Sequence, residues 1–500
     1  MQQQAVNPYL PDWEYIPDGE PRIFGDRVFL FGSHDRFSGR KYCMNDYVAW
    51  SAPVTDLSDW SNHGVMYRKE QDPGNRTGKR ALWAPDVVQG GDGRFYLYYG
   101  LEFVPRISVA VADAPEGPYE FLGYVTHPGG PAMGSRPGDP FPFDPGVLVD
   151  DDGQAYLYFG FGMEGKVQTY LLMGRHGLVH EGAYVVALEP DMHTIAAGPR
   201  LIVPKAGASE GTGFEGHEFY EAASIRKIAD TYYFVYSSIQ GHELCYATSD
   251  RPTEGFKYRG VLVSNGDIGL DGRTAADALN YTANNHGGLV QIENQWYIFY
   301  HRHTNREQVS RQAVAEPIEL AADGRFLQTE MTSSGLNNGP LIGEGTYPAR
   351  IACILQSARG AGPLPYLSIS RRGPHPYFTQ TGHDREGGGD QHIANMRDGA
   401  VAGFKHFDLR AARSVTVDVR GGDGEVHVST ELNGAPLAVI PVPTPVGETG
   451  TVALPEGLTE KSALYFRYRG KGAISFHSFT LAPEGFEPAS APVDARTPRP

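Results

Sequence analysis

"YEAASIRKIADTYYFVYSS", residues Tyr220 to Ser238, sets a glutamate, Glu221, at the head of a short apolar run, then a turn at "IADT", then a second, aromatic run. Side chains of a strand alternate between its two faces, yet apolar residues here occupy both, as in strands covered by protein on each side. The same hairpin recurs along the chain. Aromatic runs appear as "RVFLFGSHD" (27–35), "RFYLYYG" (94–100), "QAYLYFG" (154–160), "TYYFVYSS" (231–238) and "QWYIFYHRH" (295–303). Each follows a turn ("FGDR", "GGDGR", "DDDGQ", "IADT", "IENQ"), and each turn follows a short strand, "EPRIF", "APDVV", "DPGVLV", "EAASIRKI" or "HGGLVQI". Three copies run on into a further strand–turn–strand echo: "YVAWSAPVTDLSDWSNHG", "ISVAVADAPEGPYEFLG" and "LCYATSDRPTEGFKYRG".

Five such units predict an all-β, five-bladed β-propeller, because radial packing covers the edges that a lone four-stranded sheet would expose. In that architecture the first strand of each blade lines the central channel, so the residues opening those strands converge on the axis. They are Glu20, Ala84 with Asp86 close by, Asp144, Glu221 and His286. Three carboxylates and an imidazole from distant parts of the chain are thereby expected at one place. "DDDG" at Asp150–Gly153 falls where a hairpin turn is required and is assigned to that turn rather than to a metal.

The composition agrees with many short strands: 62 Gly, 37 Pro, 28 Tyr and 24 Phe in 500 residues, of which 40% are hydrophobic, enough for a full core and more than one domain. A formal charge of -16 without any basic run excludes a nucleic-acid partner. Cys43, Cys245 and Cys353 stand far apart without metal-ligand spacing, which predicts buried free thiols rather than disulfides or a zinc site. The start, "MQQQAVNPYLPDWEY", has neither a basic nor an apolar segment, and no membrane span is visible. A cytoplasmic protein is expected, unless a leader has been removed.

"NPYLPDW", "WAPDVV", "FDPGVLVDDDGQAYLYFG", "FYEAASIRK" and "NNHGGL", in that order over residues 7–335, resemble glycoside hydrolase family 43, the inverting five-bladed enzymes that act mainly on arabinose- and xylose-containing glycans. The resemblance implies that Glu221 of "YEAAS" is the general acid and that Asp144 of "FDPG" raises its pKa and orients it. An inverting glycosidase also needs a carboxylate base to activate water on the far face of the sugar. Where the family opens its first blade with Asp-Pro, this chain has "PDGEPRIF". Strand register favours Glu20 as the base, although its extra methylene would move the carboxylate by about 1.5 Å; Asp18, two residues earlier, keeps the aspartate.

Further contacts are expected from the same frame. Trp83 of "WAP" offers either an aromatic face to a sugar or a core ring, and Asp86 sits beside the axis. His286 resembles the family's axial histidine, which holds water or a structural calcium ion; a neutral core histidine is the alternative. Arg302 of "YHRH" is read as a donor to sugar hydroxyls or as one half of an ion pair. No cofactor is required by the resemblance, and the partner is a small oligosaccharide; the oligomeric state stays open. The implied activity is exo-acting release of a terminal pentose by an α-L-arabinofuranosidase or β-D-xylosidase. Another furanoside such as β-D-galactofuranoside, or a sugar-binding propeller without catalysis, are the alternatives.

Residues 1–335 form the expected catalytic unit and 336–345 a linker. From 346 to 483, short alternating strands such as "SVTVDVR", "GEVHVSTEL" and "AISFHSFTL" predict a β-sandwich. "IANMRDGAVAGFKHFDL" with "LYFRYRGKGAISFHSFTL" resembles the family 6 carbohydrate-binding module. Packing against the propeller is favoured here over gripping glycan. The Pro- and Ala-rich tail, 484–500, is expected to be disordered.

Overall fold

The computed structural model describes residues 4–162, 177–364, 373–384, 390–442 and 450–484. The tail lies outside the described residues from position 485 onward. The described chain is almost entirely strands and turns, and no described helix is long and apolar enough to cross a membrane.

Strands β1 (Glu20–Phe24), β2 (Arg27–Phe31), β3 (Tyr47–Pro53) and β4 (Ser61–Tyr67) form one antiparallel sheet in chain order. The next consists of β5 (Leu82–Gln89), β6 (Phe95–Leu101), β7 (Val104–Ala112) and β8 (Glu120–Tyr124). A third contains β9 (Gly146–Val149), β10 (Ala155–Gly160), β11 (Gly182–Leu188) and β12 (Ile195–Pro204); a fourth contains β13 (Phe219–Ile228), β14 (Thr231–Ser238), β15 (Glu243–Ser249) and β16 (Lys257–Ser264). The fifth has three strands, β17 (Leu289–Ile292), β18 (Gln295–His303) and β19 (Arg311–Ile318).

The turns fall where the sequence placed them. Two-residue loops join Phe24 to Arg27, Ile228 to Thr231 and Ile292 to Gln295, and their first residues, Gly25, Ala229 and Glu293, take positive φ of 63°, 51° and 53°, the conformation such tight hairpins need. Second strands are buried on both faces, as "TYYFVYSS" is from Tyr232 onward, because separate cores form between successive sheets.

The first strands pack side by side, β1 on β5, β5 on β9, β9 on β13 and β17 on β1. Arg226 Nε of β13 donates to the Leu289 carbonyl of β17 at 2.6 Å, and a parallel bridge joins Gly19 to Gly287. In place of a fourth strand beside β19, the Asn7 amide both donates to the Ala315 carbonyl (2.8 Å) and accepts from its N–H (3.0 Å). Tyr9, Leu10 and Ile16 then share a core with β18 and β19. The start of the chain thus covers an edge that would otherwise be unpaired.

The remainder folds into two six-stranded sheets. One runs through Val401–Asp408, Ser462–Lys471 and Asp423–Ser429; the other through His392–Arg397, Ala473–Ala482 and Ser414–Arg420. A single core containing Phe404, Phe466, Phe476 and Phe479 lies between them, and Ser462–Lys471 alternates buried and half-buried positions along much of its length, the pattern of strands covered on one face. Leu341–Ile342, within the stretch read as a linker, already pairs with Val401–Asp408. Ile354 and Cys353 also join the core between the fourth and fifth sheets, so the two units meet through packed side chains.

Candidate active site

The entrances to the inner strands share a local irregularity. Asp18 (φ 57°), Ala84 (φ 32°), Asp144 (φ 47°) and Ala222 (φ 70°) all have left-handed backbone, and the ladders slip between Trp83 and Asp86 and on both sides of Glu221. Such conformations cost about 1–3 kcal/mol each and persist where the surrounding fold imposes them. Here they turn side chains out of the pleat and into a cavity of about 430 Å³. Asp18, Asp144, Glu221, His286 and Trp83 all line it, with Arg311 beside them and Phe141, Phe143, Phe161 and Tyr220 as apolar wall.

Glu221 keeps partial contact with the cavity. Burial, reinforced by the Asp18 charge and opposed by Arg311, pushes its carboxyl up to about 7, so near neutral pH it holds a proton to give. Asp144 Oδ2 accepts the Ala222 N–H at 3.0 Å and lies 3.6 Å from His286 Nδ1. Its pKa is also raised, by burial first and by Glu221 next. Burial lowers His286 to about 4, which keeps the imidazole neutral.

Asp18 has a contrasting environment. Arg311 Nη1 donates to its Oδ1 at 2.7 Å, while the rest of that guanidinium grips Asp35 through Nε (2.9 Å) and Nη2 (3.1 Å). His301 Nε2 lies 2.9 Å from the Asn284 carbonyl, and with the proton there its Nδ1 accepts the Asp18 N–H at 3.3 Å. The Asp18 carboxylate therefore meets a cation on one side and the cavity on the other.

Glu20, favoured by strand register as the base, does not line the cavity. Its Oε2 accepts from Arg226 Nη2 (2.9 Å) and Ser224 Oγ (3.0 Å), and a Cβ on Gly288 would come within 2.6 Å of that oxygen, so the carboxylate is enclosed. The physical reason is level: Glu20 is already inside the regular ladder, opposite Phe31, whereas Asp18 precedes it on a left-handed turn at the cavity floor. Asp86 is likewise withdrawn from substrate. Arg22 holds it through Nε (3.0 Å) and Nη2 (2.5 Å), and it accepts the Val147 N–H at 2.8 Å.

Arg302 also lies outside the cavity. It spans the joint between the two units, donating to the carbonyls of Arg350 (2.6 Å) and Ala352 (3.3 Å) and to Gln391 (3.2 Å), with its guanidinium 4.0 Å from the Phe378 ring centroid. Neither the sugar contact nor a carboxylate ion pair describes it. Trp83 does line the cavity, set edge-on against Phe103 and Phe143 at 5.6 and 5.5 Å. Arg311, Asn284 and Gln308 escaped the sequence reading because they do not open inner strands. A lone arginine ahead of "QAVAEPI" carries no signal until β19 places it beside Asp18.

Calcium takes six to eight oxygen ligands. Around His286 the close carboxyl is Asp144, 3.6 Å from Nδ1, so direct ligands from this pair would supply only one side-chain carboxyl towards such a shell. Among the described residues, one trio of metal-type ligands converges, His217, Glu243 and Cys245. It is not on the cavity wall, and Glu243 is already bonded by His217 Nδ1 (2.7 Å), Ser238 Oγ (2.5 Å) and Cys245 Sγ (3.3 Å). All three cysteines are free and buried, as expected, and Asp150 forms its turn, with Lys227 paired to it.

The sequence model of Glycosyl hydrolases family 43 matches residues 30–326. The chain belongs to that family. It is therefore a glycosidase, hydrolysing bonds between sugars. A family relative from Thermoclostridium stercorarium, "Xylosidase/arabinosidase", is 49% identical over 489 residues, covering 96% of this chain and 99% of its own. Among solved structures, the family 43 β-xylosidase/α-arabinofuranosidase from a compost microbial metagenome, in complex with xylotriose and described as a calcium-free form, is 26% identical with a TM-score of 0.52, over 66% of this chain and 98% of that one. The family 43 enzyme of Xanthomonas citri complexed with xylose is 26% identical with a TM-score of 0.52, over 67% and 95%.

Proposed function

We propose that this enzyme removes terminal xylose or arabinofuranose units from short oligosaccharides by single displacement with inversion. In this reading the five sheets are blades of a propeller whose axis carries the cavity, and the C-terminal pair of sheets is a β-sandwich, with residues 1–335 catalytic. The observation that carries the chemistry is the pairing, in one cavity, of a carboxyl raised to about 7, Glu221, with the arginine-bound carboxylate Asp18.

Glu221 gives its proton to the glycosidic oxygen as the bond from that oxygen to the anomeric carbon breaks. Asp18 takes a proton from a water that attacks the same carbon from the opposite face, and the product leaves with inverted configuration. Asp144 accepts the Ala222 N–H next to Glu221 and so fixes the backbone that aims the acid, while burial and the Asp18 charge oppose its ionisation. Neutral His286 and the Trp83 ring supply polar and apolar contacts to the bound sugar.

The test is hydrolysis of nitrophenyl α-L-arabinofuranoside, β-D-xyloside and β-D-galactofuranoside by wild type and by Glu221→Gln, with proton NMR of the first-formed sugar. Release from a pentoside with inversion is expected, together with a mutant that keeps relatively more activity on dinitrophenyl glycosides, whose leaving group needs no proton. Retention of configuration, or equal loss on both leaving groups, would sink the assignment.

A further inference from the structure

A second cavity, of about 260 Å³, opens where the fifth sheet meets the C-terminal unit. It shares a wall with the active site. Asn284 and Gln308 line the active-site cavity; Asn284 Oδ1 lies 3.0 Å from His303 Nε2 and Gln308 Nε2 donates to the Leu364 carbonyl at 2.7 Å, and both partners line the second cavity.

The two cavities have opposite chemistry. The active site gathers Asp18, Asp144, Glu221 and Glu102. The second contains Arg306, His303 and His375, and no aspartate or glutamate is among its described lining residues, in a chain of net charge -16. Positive potential there is felt by His375, whose pKa falls through burial and then through Arg306 and Arg359. Two of its lining residues each carry a fully buried polar atom without a partner, Arg306 Nη1 and His303 Nδ1. His303 is only 8% exposed; with its Nε2 proton donated to Asn284, Nδ1 is left as a bare acceptor. Buried polar atoms are seldom left unpaired, and those that are point to a water, an ion or a ligand. Tyr281 and Tyr377 add aromatic surface, the latter 5.7 Å from the Arg306 guanidinium.

We propose that this cavity binds an acidic sugar carried by the substrate beyond the scissile bond, its carboxylate paired with the Arg306 guanidinium. A guanidinium suits a carboxylate, and tyrosine rings suit the sugar's apolar face. The shared wall lets one branched oligosaccharide reach both cavities. The proposal rests on the hydrolytic reading only for the neutral half of that ligand.

Calorimetry on the intact Asp18→Asn protein, which should bind without turnover, would compare xylotriose bearing a glucuronic acid branch with unbranched xylotriose. The acidic ligand is expected to bind at least about tenfold more tightly. Arg306→Gln added to that protein should abolish the difference and Arg306→Lys should retain part of it. In the wild-type background, Arg306→Gln should leave nitrophenyl pentoside hydrolysis unchanged. Equal affinity for the branched and unbranched ligands, or a preference untouched by Arg306→Gln, would overturn the proposal. So would inorganic phosphate displacing the acidic sugar at equal concentration, since that marks a site for free anions. A wild type inert on every nitrophenyl glycoside whose Asp18→Asn form still prefers the acidic branched ligand would support the site and overturn the hydrolytic reading alone.

Discussion

Two sets of charged side chains lie at the inner strands, one beneath the other, and they behave differently. In the lower set Glu20 pairs with Arg226 and Asp86 with Arg22, two anions against two cations, enclosed by backbone and absent from the cavity wall. In the upper set Asp18, Asp144 and Glu221 share the cavity with one arginine, Arg311, which Asp35 also claims. Matched charges in low dielectric are costly to separate; burial among few cations instead raises the proton affinity of Asp144 and Glu221. The same residue types serve opposite ends because of what stands opposite each one.

Substitutions that exchange the two roles would break this contrast. The largest effect is expected at the proposed base: Asp18→Asn should lower kcat by about 10³-fold or more and, because Asp35 still pairs with Arg311, should lower the melting temperature less than Glu20→Gln, which should spare kcat. Breaking one partner of a buried pair costs roughly 3–5 kcal/mol, so Glu20→Gln should melt several degrees lower yet keep kcat within about tenfold of wild type below its melting temperature. Calorimetry and steady-state rates on both variants separate the sets. A Glu20→Gln protein as inactive as Asp18→Asn, with unchanged stability, would reverse the assignment.

Smaller effects follow from Glu221. Its pKa is raised from 4.5 to about 7, so kcat should fall as pH rises through about 7 and the acid loses its proton. The stability consequence has the same sign. Folded protein binds this proton more tightly than unfolded chain, so the contribution is fully present below the unfolded value near 4.5 and is lost as pH rises to about 7. Glu221→Gln should therefore melt roughly 2–4 °C above wild type at pH 8, with the gap closing towards pH 4; a constant gap across that range would contradict a raised pKa. The smallest change is expected at the joint. Arg302→Ala removes hydrogen bonds to Arg350, Ala352 and Gln391 and the stack on Phe378, costing about 2 kcal/mol, while KM for nitrophenyl pentosides stays as it was. A raised KM instead would return Arg302 to the substrate.

Much of the fold was legible because its information is local. Each aromatic second strand, its turn and its first strand are contiguous in sequence, so "FGDR", "IADT" and "IENQ" marked hairpins that the structure contains. The fifth sheet's missing partner was not legible, because Asn7 reaches its edge from more than 300 residues away. Asp18, Asp144, Glu221, His286 and Trp83 were found from motif and frame and share one cavity. Glu20, Asp86 and Arg302 carried the same kind of signal, and the structure gives each of them partners outside it.

The sequence by itself determined the all-β class, the repeated hairpin and the set of acids from which the chemistry must be drawn, since propensity, turns and residue type are properties of neighbouring positions. Which carboxylate faces the cavity, and which is neutralised beneath it, was decided by tertiary structure. Glu20 and Asp18 are two residues apart on one strand entrance, and no local rule separates them. Their difference lies in Arg226 and Arg311, brought from the fourth and fifth sheets, and a carboxylate's reactivity depends on the charges and solvent around it rather than on its place in the chain.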